Sequence, residues 1–261
     1  MIILLTNDDG VRAPGLHALR SEMEAMRGAE VFVVAPDEER SCSGHGITIR
    51  RPLRVEEVHC PGSPSKIWAV SGTPADCTKI GVTKLLPKPP DLVVSGINRG
   101  PNLGADVLYS GTVAAAMEAV VLGIPAMAVS LDGYDDLDYG YTARFAAYLA
   151  EVIVARGACR STLLNVNVPA VPPDLITGVA ITRLGERRYN DEFERREDSD
   201  GGAYYFPTGG LLDAAVADGT DVAAVRDNKI SITPIHLDLT AHWAVQEMCA
   251  WNIGLPGARR R

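Results

Sequence analysis

Residues 1–10 read MIILLTNDDG: four aliphatic residues, Ile2 to Leu5, run into Thr6, Asn7 and two adjacent acids, Asp8 and Asp9, before Gly10. An unbroken apolar run of this length suits a strand buried on both faces, as in a parallel sheet covered by helices. In an open α/β sheet ligands sit beyond the carboxyl ends of the strands, so two carboxylates in the turn after a first strand stand where chemistry is done. A solvated Asp-Asp-Gly turn is the competing reading. What the rest of the chain brings alongside decides between them.

Outward from that turn the pattern repeats strand and helix. Pro14 to Met26 places Leu16, Leu19, Met23 and Met26 at helical spacing. Val31 to Ala35 is a second buried strand, followed by the polar loop Pro36 to Gly46 with Arg40, Ser41 and Ser43. Ile47 to Val58 and Lys66 to Ser71 read as a hairpin with its tip at Cys60 to Pro64. Thr73, Pro74 and Asp76 predict a helix start in which Asp76 acts as a capping-box acid.

Asp91 to Ser95 is another buried strand, and it opens onto Gly96 to Asp106. The glycines there free backbone N–H groups to face an anion, and Asn98 and Asn102 add side-chain oxygens. The loop lacks the Lys-Ser/Thr pair of a P-loop and is not GxGxxG. Tyr109 to Gly123 predicts a helix capped by Ser110 or Thr112, and such an N-terminus is also a phosphate site. Pro125 to Ser130, Tyr141 to Ala155 and Leu163 to Val168 continue the alternation. The expected class is α/β, a mostly parallel sheet with helices on both faces. After Pro172 the pattern changes to loops or hairpins, including Val179 to Arg183, Tyr204 to Pro207 and Ile230 to Ile235, and a last helix near Thr240 to Trp251. The expectation is a single domain, 1–261, with a core over about 1–175 and a C-terminal arm of hairpins and a helix over about 176–261 for self-association.

Composition bounds the function. Of 261 residues 46% are hydrophobic and 22% charged, which fits a globular core. A net charge of -8 argues against coating a nucleic acid. The longest apolar stretch, around Val120 to Leu131, is broken by Gly123 and Pro125 and is too short to span a bilayer, and no secretory leader is visible. The reading is a soluble, cytoplasmic protein. Its five cysteines are scattered without CxxC spacing, as reduced thiols are.

Four oxygen-bearing residues, Asp8, Asp9, Ser41 and Asn98, follow the ends of three predicted strands. Such a set, without His or Cys, suits one hard divalent cation per subunit: Mg, Mn or Ca. Around it stand Arg40, Arg99, Asn102, the Gly100 to Gly104 backbone and the helix start Ser110, Gly111 and Thr112, all donors suited to phosphate. A metal beside an anion cradle points to phosphoryl chemistry, with Asp8 and Asp9 as the catalytic acids. His45 is read as a structural or exposed loop histidine.

These residues also carry a resemblance. TNDDG, the AP followed by RS, SGTPADC, SGINRGPNLG, YSGTVAAAMEA, NVNVP and, further on, SITPIH resemble, in order, the SurE family of survival-protein nucleotidases. The resemblance implies a Rossmann-like core and a metal-dependent phosphomonoesterase acting on nucleoside 5'- and 3'-monophosphates, with short polyphosphate as a side substrate. It puts metal-binding positions at Asp8, Asp9, Ser41 and Asn98, and implies a homodimer or homotetramer built through the C-terminal arm. Cys42-Ser43 stands where small residues such as Gly, Ala or Thr often follow Arg-Ser. Two other readings stay open here: a nucleotide-binding module without turnover, and a glycosyltransferase-like use of the acids on a sugar nucleotide.

Overall fold

The computed structural model describes residues 1–157, 161–190, 192–210, 212, 216–251 and 253. β1 (Ile2–Thr6) is buried along its whole length. It pairs in parallel with β2 (Glu30–Pro36) on one side and β5 (Leu92–Arg99) on the other. Successive side chains of β1 feed two separate cores. Ile3 and Leu5 pack with α1 (Pro14–Glu24) and α4 (Gly140–Arg156), through Leu16, Leu19, Ala146 and Ala150. Ile2 and Leu4 pack with α2 (Pro74–Ile80) and α3 (Gly111–Val121), through Cys77, Val113 and Ala116. The apolar run is uninterrupted because both faces need it.

The remaining strands of the main sheet are β3 (Val55–Glu57), β4 (Lys66–Val70), β6 (Ala126–Asp132), β7 (Thr162–Pro169), β8 (Gly178–Ile181) and β11 (Lys229–His236). Among the described residues the sheet runs β3-β4-β2-β1-β5-β6-β7-β11-β8. The chain moves outward from β1 through β2 to β4, then returns to β5 at the other side of β1. That reversal between β1 and β5 opens a crevice beyond their carboxyl ends. The expected hairpin forms, with Val55 opposite Val70, but its second strand is also a parallel neighbour of β2. The Asp76 capping box forms as well: Asp76 N–H donates to Thr73 Oγ1 at 3.1 Å, and Thr73 N–H to Asp76 Oδ2 at 3.0 Å.

Two details shape the crevice. The β5–β6 pairing shifts register between Gly96 and Asn98, and a bulge of this kind re-aims the side chain after it. Gly15 lies against that bulge: a Cβ there would fall 2.1 Å from the Ile97 carbonyl oxygen, so only glycine lets α1 pack this close.

The C-terminal third departs from expectation. The sheet does not end near residue 175: β11 pairs antiparallel with β7, and β8 runs parallel beside β11. Among the described residues, the hairpin of β9 (Phe193–Glu197) and β10 (Ala203–Pro207) and the helix α6 (His242–Cys249) stand apart from the main sheet, and none of their residues is buried. A short helix, α5 (Asp221–Arg226), packs its Ala223, Ala224 and Val225 inward just before β11. No described helix is long and apolar enough to cross a membrane. Cys42, Cys60, Cys77 and Cys249 are free, while Cys159 and the last residues of the arm lie outside the described residues.

Candidate active site at the β1–β5 crevice

Asp8 and Asp9 follow β1 directly and reach the crevice from its floor. The Asp8 carboxylate is buried and accepts the Thr112 hydroxyl from the first turn of α3. Burial pushes its carboxyl above the usual range; the Thr112 hydroxyl and N–H oppose this, and the charge of Glu39 adds to it. Asp9 is half-buried, and its Oδ2 accepts the Arg99 N–H at 3.2 Å. Burial, and then the charge of Asp8, raise the Asp9 carboxyl from 3.8 to about 6. Asn98, turned by the bulge, gives its amide protons to the Arg99 and Gly100 carbonyls, leaving Oδ1 facing the Thr112 hydroxyl at 3.3 Å. Asp8 and Asn98 therefore meet at the Thr112 hydroxyl, and Asp9 lies near enough for the charge of Asp8 to act on it.

Gly111 makes that approach possible. A Cβ on it would lie 2.8 Å from Asp8 Cβ, 2.9 Å from Asp8 Oδ2 and 3.0 Å from Ser43 Oγ. Ser110 spends its hydroxyl as the N-cap, accepting the Val113 N–H at 3.1 Å. The helix start thus holds the Asp8 carboxylate through Thr112, and the Ser110 hydroxyl proton and the Gly111 backbone N–H are the donors there with no acceptor among the described residues.

Three further residues read from the sequence have other partners in the structure. Arg40 Nη2 pairs with Asp37 at 3.2 Å and Glu38 at 2.9 Å, its Nε is buried without a partner, and its backbone N–H donates to the Asp8 carbonyl at 2.7 Å. Ser41 is exposed and donates its hydroxyl to Glu39 at 2.6 Å rather than facing the aspartates. Asn102 is 7% exposed and locked in a polar core: its amide donates to Ser130 Oγ, its N–H to Asn167 Oδ1, and its carbonyl accepts from Asn165 and Asn167. It shapes the loop, with one of its two amide protons already given to Ser130. His45 sits 3.0 Å from Glu118, whose other oxygen takes Lys79, which is a structural tie between loop and helices.

Several neighbours escaped the sequence reading. Ser43 Oγ is buried beside Asp8 with no hydrogen-bond partner. Glu39 adds a third negative charge within reach of both aspartates. Tyr139, at the entry to α4, lies close enough that the charge of Asp9, after burial, raises its hydroxyl, with Arg99 opposing. Position beyond the carboxyl end of a strand was the available signal for all three.

The fit to a divalent cation rests on this charge balance. Two carboxylates, one buried, stand side by side with only Arg99 as a partial offset, which is the electrostatic situation a hard cation resolves. Among the described residues no three His, Cys, Asp or Glu side chains cluster as metal ligands, so the neutral oxygens of Asn98 and the serines must complete any such set. A cavity of about 590 Å³ lies beyond β6 and β7, but Asp132, Asp135, Asp136 and Asp138 line it and would repel a phosphate.

The Asp9 shift has a measurable consequence. A carboxyl raised in the folded state binds more protons there than in the unfolded chain between about pH 4 and pH 6, so stability falls as pH rises through that window. Asn at this position removes the cost. In cation-free protein at pH 8, Asp9→Asn is expected to raise stability by roughly 1–2 kcal/mol, after discounting for partial exposure, and the gain should vanish below pH 4. Thermal melts in EDTA at the two pH values check this; equal Tm values at pH 8 would mean that Asp9 carries no such strain.

The sequence model of the family described as Survival protein SurE matches residues 3–191. The 5'-nucleotidase SurE of Heliobacterium modesticaldum is 52% identical over 256 residues, covering 96% of this chain and 92% of that protein. The one from Symbiobacterium thermophilum is 50% identical over 252 residues, covering 97% and 98%. Among solved structures, the SurE protein from Aquifex aeolicus superposes with a TM-score of 0.82 at 36% identity, covering 97% of this chain and all of that one.

Proposed function

This chain belongs to the survival protein SurE family, and we propose that it is a divalent-cation-dependent 5'-nucleotidase that releases inorganic phosphate from nucleoside monophosphates. The observation that carries the reading is the convergence of Asp8 and Asn98 on Thr112, with Asp9 beside Asp8, at the β1–β5 switch point. Asp8 and Asp9 would hold one Mg, Mn or Ca ion, with Asn98 Oδ1 and with Ser41 once its hydroxyl is released from Glu39. A cation bound there supplies Lewis acidity at a phosphoryl oxygen and makes a bound water more acidic.

The chain's own groups do the rest. Asp9, less deeply buried than Asp8, would orient the attacking water and accept its proton. Ser43 Oγ and the Gly111 N–H, beside Asp8, are placed to hold phosphoryl oxygens. Haloacid-dehalogenase-type phosphatases set one residue between their two acids, a spacing the adjacent Asp8 and Asp9 lack, so attack by water is favoured over an aspartyl-phosphate.

Phosphate release from 5'-AMP, with Mg or Mn and with EDTA, tests the reading. Release that requires the cation supports it; none from folded protein with any cation would leave a binding module. Arms with 3'-AMP and tripolyphosphate read the wider substrate range that the resemblance implies. We place the assembly, a homodimer or homotetramer, on the arm: Phe206 and, on α6, Trp243 and Trp251 are 46%, 75% and 57% exposed in the single chain. Light scattering that finds a monomer at micromolar concentration would remove that assignment.

A further inference from the structure

Two exposed tyrosines stand on the loop that leads from Asn98 to α3, and the chemistry above uses neither. Tyr134, from the turn after β6, is 64% exposed, yet its ring lies against Gly100: a Cβ there would fall 2.6 Å from ring carbon Cε1. Gly100 has φ of +96°, so the backbone needs glycine and the ring uses the space it leaves. Asn98 donates to the carbonyl of this same glycine at 2.8 Å, which sets the ring one contact away from the cation-site side chain.

Tyr189 comes from the root of the arm and is 45% exposed. Its hydroxyl donates to Asp106 Oδ2 at 2.8 Å, and Arg187 Nη1 meets that oxygen at 3.2 Å. The Arg187 guanidinium carbon lies 5.9 Å from the Tyr189 ring centroid, so the ring is held at its hydroxyl and flanked by a cation. Burial, then the Asp106 bond, push its hydroxyl up to about 12, and Tyr134 is near enough to contribute. The two rings therefore share one region, each fixed on the Gly100 to Asp106 loop and each open to solvent.

A phosphate at Asp8 and Asp9 has a closed floor beneath it, since Thr6, Asn7 and Thr112 are fully buried. The sugar and base leave toward solvent, and the Gly100 to Asp106 loop borders that side of the site through the Asn98 bond to Gly100. We infer that Tyr134 and Tyr189 form the stacking surface for the nucleobase of the substrate, an inference that rests on the nucleotidase reading. Base-on-aromatic stacking tolerates every base, so purine and pyrimidine monophosphates should differ little in KM. Rings held before the ligand arrives also lose little freedom on binding.

Steady-state kinetics with 5'-AMP and with ribose 5-phosphate separate the base from the ester. In the double variant Tyr134→Ala, Tyr189→Ala, KM for 5'-AMP is expected to rise about ten-fold or more while kcat changes less than about two-fold, with ribose 5-phosphate unaffected. Tyr134→Phe keeps the ring and should restore wild-type KM at that position. Calorimetric binding of adenosine should weaken by the same factor in the double variant. Equal losses on both substrates, or no change with 5'-AMP, overturn the stacking surface. Wild-type protein that hydrolyses neither substrate overturns the nucleotidase reading instead, and adenosine binding then decides the tyrosines alone.

Discussion

Asp8→Asn is expected to lower kcat/KM for 5'-AMP by about 10³-fold, roughly 4 kcal/mol of transition-state stabilisation, with the fold intact. The size follows from where the charge sits. Asp8 is 5% exposed, and its carboxylate is held by the Thr112 hydroxyl against the first residue of α3. Asparagine has the same outline and can still accept that hydroxyl, so the helix start and the loop keep their positions. What it removes is one of two negative charges at the proposed cation site, and a neutral amide oxygen replaces a carboxylate poorly toward a hard divalent ion. Cation affinity, read by Mn titration of the variant, should therefore fall with activity. Circular dichroism and a melting curve in EDTA should show a protein at least as stable as the parent, because the buried charge that burial penalises is gone. A variant that keeps more than a tenth of the activity would move the reacting phosphate away from β1.

The parts of this site legible in the sequence are those set by strand ends. β1 announced itself because a strand covered on both faces must be apolar at every position, and its acids followed from where that run stops. Asn98 was readable for the same reason, though not the bulge that aims it. The partners of Arg40 and Ser41 in the structure stand just before them in the sequence: Asp37, Glu38 and Glu39 are close carboxylates that take up a guanidinium and a hydroxyl. Asn102 was beyond local reading, since its partners Ser130, Asn165 and Asn167 arrive from β6 and β7.

Val179 to Arg183 and Ile230 to Ile235 read as loops or hairpins, and their place in the main sheet is hidden for a different physical reason. β11 buries Ser231 and Thr233, and their hydroxyls pair with Thr182 at 2.8 and 2.7 Å. A strand that buries satisfied hydroxyls carries too few aliphatic residues to look like part of the core. β8 is mostly exposed along its four residues, as an edge strand is, and so left no periodic signal.

The second large effect is expected at Asp221, which sequence reading passed over entirely. Its carboxylate is fully buried and joins three segments: Oδ1 accepts N–H groups of Gly185 at 2.7 Å and Val222 at 2.8 Å, and Oδ2 accepts the Gly104 N–H at 2.8 Å. It thus ties the active-site loop and the root of the arm to the start of α5. Gly104 and Gly185 touch so closely that a Cβ on Gly104 would lie 2.5 Å from the Gly185 carbonyl, which leaves no room for water to replace the carboxylate. Asp221→Ala strands one buried and two part-buried donors at about 1–3 kcal/mol each, not fully additive, and is expected to cost roughly 3 kcal/mol in urea unfolding. Asp221→Asn keeps one oxygen but turns an amide N–H toward a backbone N–H, so about half that loss should remain. Because Gly104 precedes Asp106 and the α3 start on one continuous loop, the asparagine variant, still folded, should also show a raised KM for 5'-AMP with cation affinity at Asp8 and Asp9 unchanged. If Asp221→Asn instead loses stability with kinetics identical to wild type, the carboxylate serves only to hold the sheet edge, and the loop keeps its shape through the Asn102 network alone.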